Sequence, residues 1–420
     1  MLALLLNSFL ILLWIGWATQ AVVSVIQVRK YGRLLQRPRR EKYMAYRPRA
    51  AVIVPFKGVE AALANNIRSL CQQHYPEYRL VFVVESADDP AYPVLKKAVA
   101  ADTGRTIDLL IADRADPTVG QKVHNQLVAL AHLERVGSEH EVLVFADSDA
   151  VPGPEWLDDL VGPLVKPEVG VTTGYRWLVP EADASDPVGK PTIWAKLASV
   201  MNSSVACFAV IPMFHLAWGG SMALRVDTAR EGDLVGSLRG CITDDYPLSQ
   251  LSKRVGKRVY FVPRCLIASP VNFSRDELIN FAHRQYLITR VYAPWLYVGA
   301  VTLPLLYILS FVTAWAAVAA GLLNVEWLQP ETWWAAVGAI VTVTVANHIR
   351  ATYRKRVVRY AFGQAMADRL RSTLRLDRWA TVVWMTLHWL LIIRAGVGRT
   401  MRWRGIAYEI RGPQNVRRLA

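Results

Sequence analysis

Cysteine is scarce, with Cys71, Cys207, Cys241 and Cys265 spread over 420 residues. None pairs as CxxC and no His stands at zinc-ligand spacing, which excludes a metal cluster or a disulfide framework and suits a reducing compartment. GxGxxG and the P-loop are both missing, so dinucleotide and P-loop NTPase readings lose their signatures. Acidic residues are fewer than basic ones, 34 against 49, for a formal charge of +15. The basic residues sit beside apolar runs and form no basic-aromatic module, so the excess points to a membrane surface and not to nucleic acid.

Charge is absent altogether from residues 2–28. As a helix this run is long enough to cross the roughly 30 Å of bilayer hydrocarbon. Arg29, Lys30, Arg33, Arg37, Arg39, Arg40 and Lys42 follow at once, and the positive-inside rule places that flank in the cytoplasm. A cleaved signal peptide would be shorter and carry its charge on the other side. Apolar runs at 295–323 and 333–349, joined through Glu326 and Glu331, predict a transmembrane hairpin. A further run at 379–393 is short and basic on both flanks, which predicts a re-entrant or in-plane segment. With 53% hydrophobic and 20% charged residues, the chain is a hybrid of membrane and globular parts.

Between the apolar ends, strand patterns at 50–56, 80–85, 107–111 and 142–145 alternate with helical spacing at 61–73, 92–101 and 122–135. This βαβα order predicts an α/β class, with a doubly wound, Rossmann-like, mainly parallel sheet and helices on both faces. A strand at 169–176, an interfacial helix at 193–214, a strand ending at Arg225, a helix at 246–255 and a strand at 259–263 complete it. The expected organisation is a membrane helix at 1–28, a cytosolic catalytic domain at 29–292, a hairpin at 293–350 and a basic interfacial region at 351–420.

Three acidic groups stand where these elements end or begin. Asp88-Asp89 follows the second strand, Asp147-Ser148-Asp149 the fourth, and Thr243-Asp244-Asp245 precedes a helix. Ligands of open α/β sheets bind outside the carboxyl ends of strands, so an Asp-x-Asp there suits a divalent cation on a diphosphate. The plainer alternatives are a solvated turn at Asp147-Ser148-Asp149 and a helix cap at Thr243 or Asp244.

Beyond the acidic groups, the chain carries Val54-Pro55-Phe56-Lys57-Gly58-Val59, His74-Tyr75-Pro76-Glu77-Tyr78, Asp88-Asp89-Pro90-Ala91 with Lys96-Lys97, Val171-Thr172-Thr173-Gly174 and Asp244-Asp245-Tyr246. In this order, across 52–290 and the flanking membrane segments, it resembles the family 2 glycosyltransferases of GT-A fold, and among them the ceramide glucosyltransferases and their bacterial relatives. The resemblance implies donor contacts from Asp88 or Asp89, Pro55, Lys57, Lys122 and Asp147. It implies Mg²⁺ or Mn²⁺ at Asp149 with Asp147, and Asp245 as the general base of an inverting transfer from a UDP-sugar to a membrane lipid. The family's (Q/R)xxRW motif is altered here to residues 281–292, where Arg284, Gln285 and Arg290 are candidates for the diphosphate and membrane anchoring is the alternative. A processive polysaccharide synthase and a non-catalytic lipid-binding scaffold are the rival functions; the expected location is a bacterial inner membrane with the catalytic domain cytoplasmic.

Overall fold

The computed structural model describes residues 1–59, 63–101, 104–182 and 189–419. Seven strands form one sheet: β1 (Ala50–Pro55), β2 (Tyr78–Val84), β3 (Thr106–Ile111), β4 (Val142–Ala146), β5 (Val169–Pro180), β6 (Ser221–Arg225) and β7 (Arg258–Val271), in the order β3-β2-β1-β4-β6-β5-β7. β1 runs parallel to β2 and β4, β2 to β3, and β5 to β7. β6 alone is antiparallel to its neighbours β4 and β5. All residues of β1 and β4 are buried, as expected of parallel strands covered on both faces, whose sequences read as continuous apolar runs.

The single reversed strand positions the site. Ser221 at the start of β6 pairs with Ala146 at the end of β4, so the loop entering β6 arrives at the edge where β4 leaves. β5 passes the same edge after Thr173, which pairs with Met222, and carries Arg176 beyond it. Carboxylates, a glycine loop and a guanidinium thus converge on one rim without any long connection.

The helices agree with the spacing in kind and differ in extent. The described part of the helix expected over 61–73 is Leu63–Cys71; residues 61 and 62 lie outside the described residues. The amino-terminal helix runs Leu2–Gln36, two turns past the uncharged stretch, because Arg29, Lys30 and Arg33 do not interrupt helical geometry. The helix expected over 193–214 spans Ile193–Phe208 and ends in a short 3-10 turn at Pro212–Phe214. It buries Ala195, Ala198, Val200 and Met201 rather than lying open on a surface.

Three helices, Leu2–Gln36, Pro294–Leu322 and Pro330–Phe362, are long and apolar enough to cross a membrane. Thr381–Arg394 is a shorter apolar helix. Polar contacts inside the bundle fix its register: Trp14 Nε1 donates to Thr313 Oγ1 at 3.0 Å, and Asn7 Nδ2 donates to Trp327 O at 2.9 Å. Where Pro330–Phe362 continues past its apolar part, Arg350 and Arg354 close on the buried carboxylate of Asp377 at 3.0 and 2.7 Å. That clamp ties Pro330–Phe362 to Arg371–Trp379, the second helix after it.

The region 351–420 departs most from the sequence reading. Its end forms an antiparallel sheet of β8 (Thr400–Trp403), β9 (Ile406–Gly412) and β10 (Asn415–Arg418). Met401, Ile406, Tyr408, Ile410 and Val416 are buried in the same core as Ile53, Val123 and Phe145. By packing, this small sheet shares the core of the seven-stranded sheet.

Candidate active site

The helix Gln121–Arg135 aims its first turn at the rim, and Gly120 N donates to Cys241 O at 2.9 Å, docking it against the loop of the third acidic group. Lys122 therefore lies between two of the acidic groups, with Nζ 2.7 Å from Asp147 Oδ1 and 3.0 Å from Asp244 Oδ1. Gln126, one turn on, donates to the other oxygen of Asp244 at 2.5 Å. Asp244 occupies the N-cap position of Asp245–Arg254 yet makes no capping hydrogen bond, because both oxygens are engaged by Lys122 and Gln126. The cap alternative for this carboxylate is thus replaced by a buried ion pair.

Asp245 shares the site under different terms. One oxygen accepts from Gly219 N, and a Cβ at Gly219 would collide with the carboxylates of both Asp244 and Asp245. Only glycine lets the backbone approach this closely. Burial and the neighbouring Asp244 charge push the Asp245 carboxyl up to about 8, with Asp147 adding to the rise and Lys122 opposing it. Burial works against Asp244 too, but Lys122 and Gln126 hold it below the usual carboxylate range. Asp147 first, then Asp244 and Asp245, keep the half-buried Lys122 ammonium charged well above its ordinary range against the cost of burial. Two adjacent acids with ionisation driven apart are the usual arrangement for separating a proton acceptor from a fixed charge.

Asp149, half-buried, is raised by burial and by the charge of Asp147, which places the two carboxylates in one field. Arg176 and Lys122 pull it the other way. Arg284 faces the same point: its guanidinium is held down to about 10 by burial and by Arg176, while Asp149 and Asp147 favour its charge. Arg176 lies over Phe281 at 5.1 Å and over Trp218 at 5.9 Å, so aromatic faces hold it at the rim. Among the described residues no group of three or more His, Cys, Asp or Glu gathers as a metal cage. The Asp147 and Asp149 pair nonetheless fits a hard divalent cation, since Mg²⁺ is commonly held by one or two carboxylates plus substrate phosphates.

The first acidic group divides its roles. Asp88 is exposed, whereas Asp89 is buried, with Oδ1 accepting from Gly58 N and Ala91 N, both at 2.9 Å. Asp89 therefore ties the loop after β1 to the helix after β2. Pro55 ends β1 buried, and Lys57 beside it forms an ion pair with Glu85 at the end of β2.

On the helix Arg275–Tyr292 the structure separates the two arginines. Arg284 lies within the electrostatic reach of Asp149 and Asp147; Arg290 donates to the carbonyls of Gly396 and Gly398, and His283 Nε2 lies 3.0 Å from Thr400 O. His283 and Arg290, seven apart, share the face that grips the loop before β8, so Arg290 is not brought to the acidic rim as the altered motif suggested. Gln285 contributes its backbone carbonyl to Thr289 Oγ1 at 2.9 Å, and Thr289 in turn meets Tyr246 OH at 2.9 Å. Gln126, Arg176 and Gly219 were not singled out in the sequence. Gln126 alone had a usable signal, standing four residues after Lys122 on one helix face.

Several known proteins are similar to this chain. A mannosyltransferase of Pyrobaculum calidifontis, solved with GDP-Man and Mn²⁺, is 16% identical with a TM-score of 0.46, over 92% of this chain and 97% of that one. Glucosyl-3-phosphoglycerate synthase of Mycobacterium tuberculosis, solved with Mn²⁺, UDP and phosphoglyceric acid, is 19% identical with a TM-score of 0.37, over 60% and 82%. Ceramide glucosyltransferase of Pyricularia oryzae is 39% identical over 72 residues, a stretch that spans 17% of this chain and 15% of that protein. The model of glycosyl transferase family 21 matches residues 12–416, from the first membrane helix into the carboxyl-terminal sheet. The chain belongs to glycosyl transferase family 21 and is a glycosyltransferase that joins a mainly parallel seven-stranded sheet to three helices long and apolar enough to cross a membrane.

Proposed function

We propose that this enzyme transfers a sugar, glucose in the first instance, from a UDP-sugar to the hydroxyl of a membrane lipid of ceramide, diacylglycerol or hopanoid type, with inversion at the anomeric carbon. One observation carries the reading: beside a Lys122-clamped Asp244, the Asp245 carboxyl is raised to about 8 and oriented by Gly219 N–H. An acceptor hydroxyl is a poor nucleophile near neutrality, and a carboxylate of raised affinity for protons is suited to take its proton as it attacks. The new bond forms between acceptor oxygen and anomeric carbon; the bond from that carbon to the diphosphate oxygen breaks on the opposite face, and its electron pair leaves with the diphosphate. Arg284 and Arg176, whose charges act on Asp149, would offset the negative charge that grows on the diphosphate. A Mg²⁺ or Mn²⁺ held by Asp149 and Asp147 would supply further charge compensation for the leaving diphosphate.

Acceptor access from a membrane is supported by the helix Arg275–Tyr292, which carries Arg284 and leads directly into the apolar helix Pro294–Leu322. The basic flanks after Val28 and Ile349 support a catalytic domain on the cytoplasmic side. Mass spectrometry of lipids from nanodiscs supplied with UDP-glucose tests the reading. A hexosylated lipid formed by the parent and not by a folded Asp245→Asn variant is expected; equal product from both removes Asp245 as the base, and no product with any lipid acceptor removes the lipid-transfer reading.

A further inference from the structure

A basic cavity of about 570 Å³ opens where the helix Arg275–Tyr292 meets the loop before β8, and Arg290, Gly396, Gly398, Arg399, Arg411 and Gly412 are in its lining. Two apolar helices fix its place. Pro294–Leu322 begins just after Arg275–Tyr292, and Thr381–Arg394 ends just before Gly396. Tyr297 Oη donates to Ile392 O at 2.9 Å, which holds the start of the first against the end of the second. A Cβ at Gly396 would lie 2.8 Å from that same hydroxyl, so the chain leaves the second helix through a glycine. Trp295 and Val397, next to these two ends, are exposed. An exposed Trp where an apolar helix begins suits the membrane–water boundary. The arginines of the lining are undercompensated. Arg290 donates to the carbonyls of Gly396 and Gly398, neutral acceptors that leave its charge unopposed. Arg399 is exposed and forms no ion pair among the described residues; its charge acts on Glu409, which Arg411 pairs at 2.8 Å and which Arg417 also influences. Three lining arginines thus stand against the carboxylate of Glu409, itself shared with an arginine outside the cavity.

We propose that this cavity binds the phosphate of an anionic membrane lipid, whose acyl chains stay in the bilayer beside Trp295 and Val397. Guanidinium forks match phosphate oxygens, and basic pockets at the cytoplasmic ends of membrane helices attract anionic headgroups. The volume is far larger than a bare phosphate needs and falls within the roughly 300–1,000 Å³ of small-molecule sites, which leaves room for the headgroup. Glycine at three lining positions keeps side chains out of that space, and Gly398, at φ +79°, holds a backbone conformation that other residues rarely adopt. The ligand would join the end of Arg275–Tyr292, the loop before β8 and the end of β9. Because the small sheet shares its core with the seven-stranded sheet, a lipid held there would tie that core to the bilayer surface. The proposal rests on the apolar helices lying in a membrane and is independent of the donor and acceptor assigned above.

Titration of the full chain in a neutral detergent with dioctanoyl-phosphatidylglycerol, dioctanoyl-phosphatidylcholine and inorganic phosphate tests the proposal. The parent is expected to bind the anionic lipid saturably and at least about tenfold more tightly than either of the others, the scale of one charge-assisted hydrogen bond. The double variant Arg399→Gln/Arg411→Gln is expected to lose at least about that factor for the anionic lipid. Arg417→Gln, which removes an exposed arginine outside the cavity, is expected to keep the parent's affinity. Thermal unfolding checks that each variant is folded; if the double variant is not, Arg399→Glu, at an exposed position without an ion pair, is expected to lose the anionic lipid in the same way. Inorganic phosphate bound as tightly as the lipid would make this a site for a soluble anion and overturn the lipid assignment. A parent that does not distinguish the two lipids overturns the proposal. So does an equal loss in Arg417→Gln, or a folded cavity variant with the parent's affinity, since charge would then act without a site.

Discussion

Two acidic strand ends face one rim, and they are balanced differently. After β2, Glu85 is flanked by Lys57 and Arg418, and Asp89 is held by two backbone amides. After β4, Asp147 and Asp149 meet Asp244 and Asp245, with Lys122 the amine that bridges two of them. Where each carboxylate has its own cation or amides, the group is fixed and suited to recognition. Where carboxylates outnumber the cations that touch them, ionisation is shared unequally, and one acid is left poised to take a proton. The difference between binding and chemistry in this site is a difference in local charge balance.

The strongest way to break this comparison is to remove the poised acid. Asp245→Asn keeps the shape but cannot accept a proton, so turnover is expected to fall on the order of 10²–10⁴-fold with UDP affinity unchanged, as measured by steady-state kinetics and titration. Removing the amine is next. Lys122→Met leaves Asp244, fully buried, without its cation, and is expected to lower stability by about 3 kcal/mol in thermal unfolding. The two arginines of the altered motif sharpen the contrast further: Arg284→Ala is expected to cost about 1.5–3 kcal/mol in donor binding, read as a raised donor KM. Arg290→Ala is expected to leave donor KM alone, because its partners are the carbonyls of Gly396 and Gly398. The smallest effect belongs to the recognition side, where Asp89→Asn, which keeps an acceptor oxygen for Gly58 and Ala91, is expected to cost about 1 kcal/mol of stability with little change in turnover.

The sheet was legible because its strands are buried on both faces and read as short apolar runs, Val52-Ile53-Val54 and Val142-Leu143-Val144-Phe145 among them. The acidic groups were legible because they sit where those runs stop. The carboxyl-terminal sheet was hidden by its own arginines: Arg399, Arg402, Arg404 and Arg411 read as membrane-surface charge, although Ile406, Tyr408 and Ile410 alternate with Ala407, Glu409 and Arg411 at strand period. Gln126 stands one helix turn after Lys122, a spacing visible in the sequence, whereas Arg176 reaches the site from a strand that overshoots the rim, and no local pattern marks it. Arg284 and Arg290 look equivalent in sequence; only helix phase and the position of β8 tell them apart.

The ionisation of Asp245 is the point on which the whole assignment turns, and it has a sign. Because its folded-state affinity for protons is raised, the carboxylate needed for transfer is depleted below about 8 and complete above it. The same shift makes stability greatest when the group is protonated, with the contribution lost as pH rises toward 8, so Asp245→Asn is expected to unfold at a higher temperature than the parent in alkaline buffer. The most direct test is the pH dependence of kcat/KM for lipid glycosylation in nanodiscs. The expected profile climbs with unit slope through neutrality and levels off near pH 8, and the climb disappears in the residual activity of Asp245→Asn. A parent profile that is flat from pH 6 to 9, or a climb that survives the substitution, would contradict it.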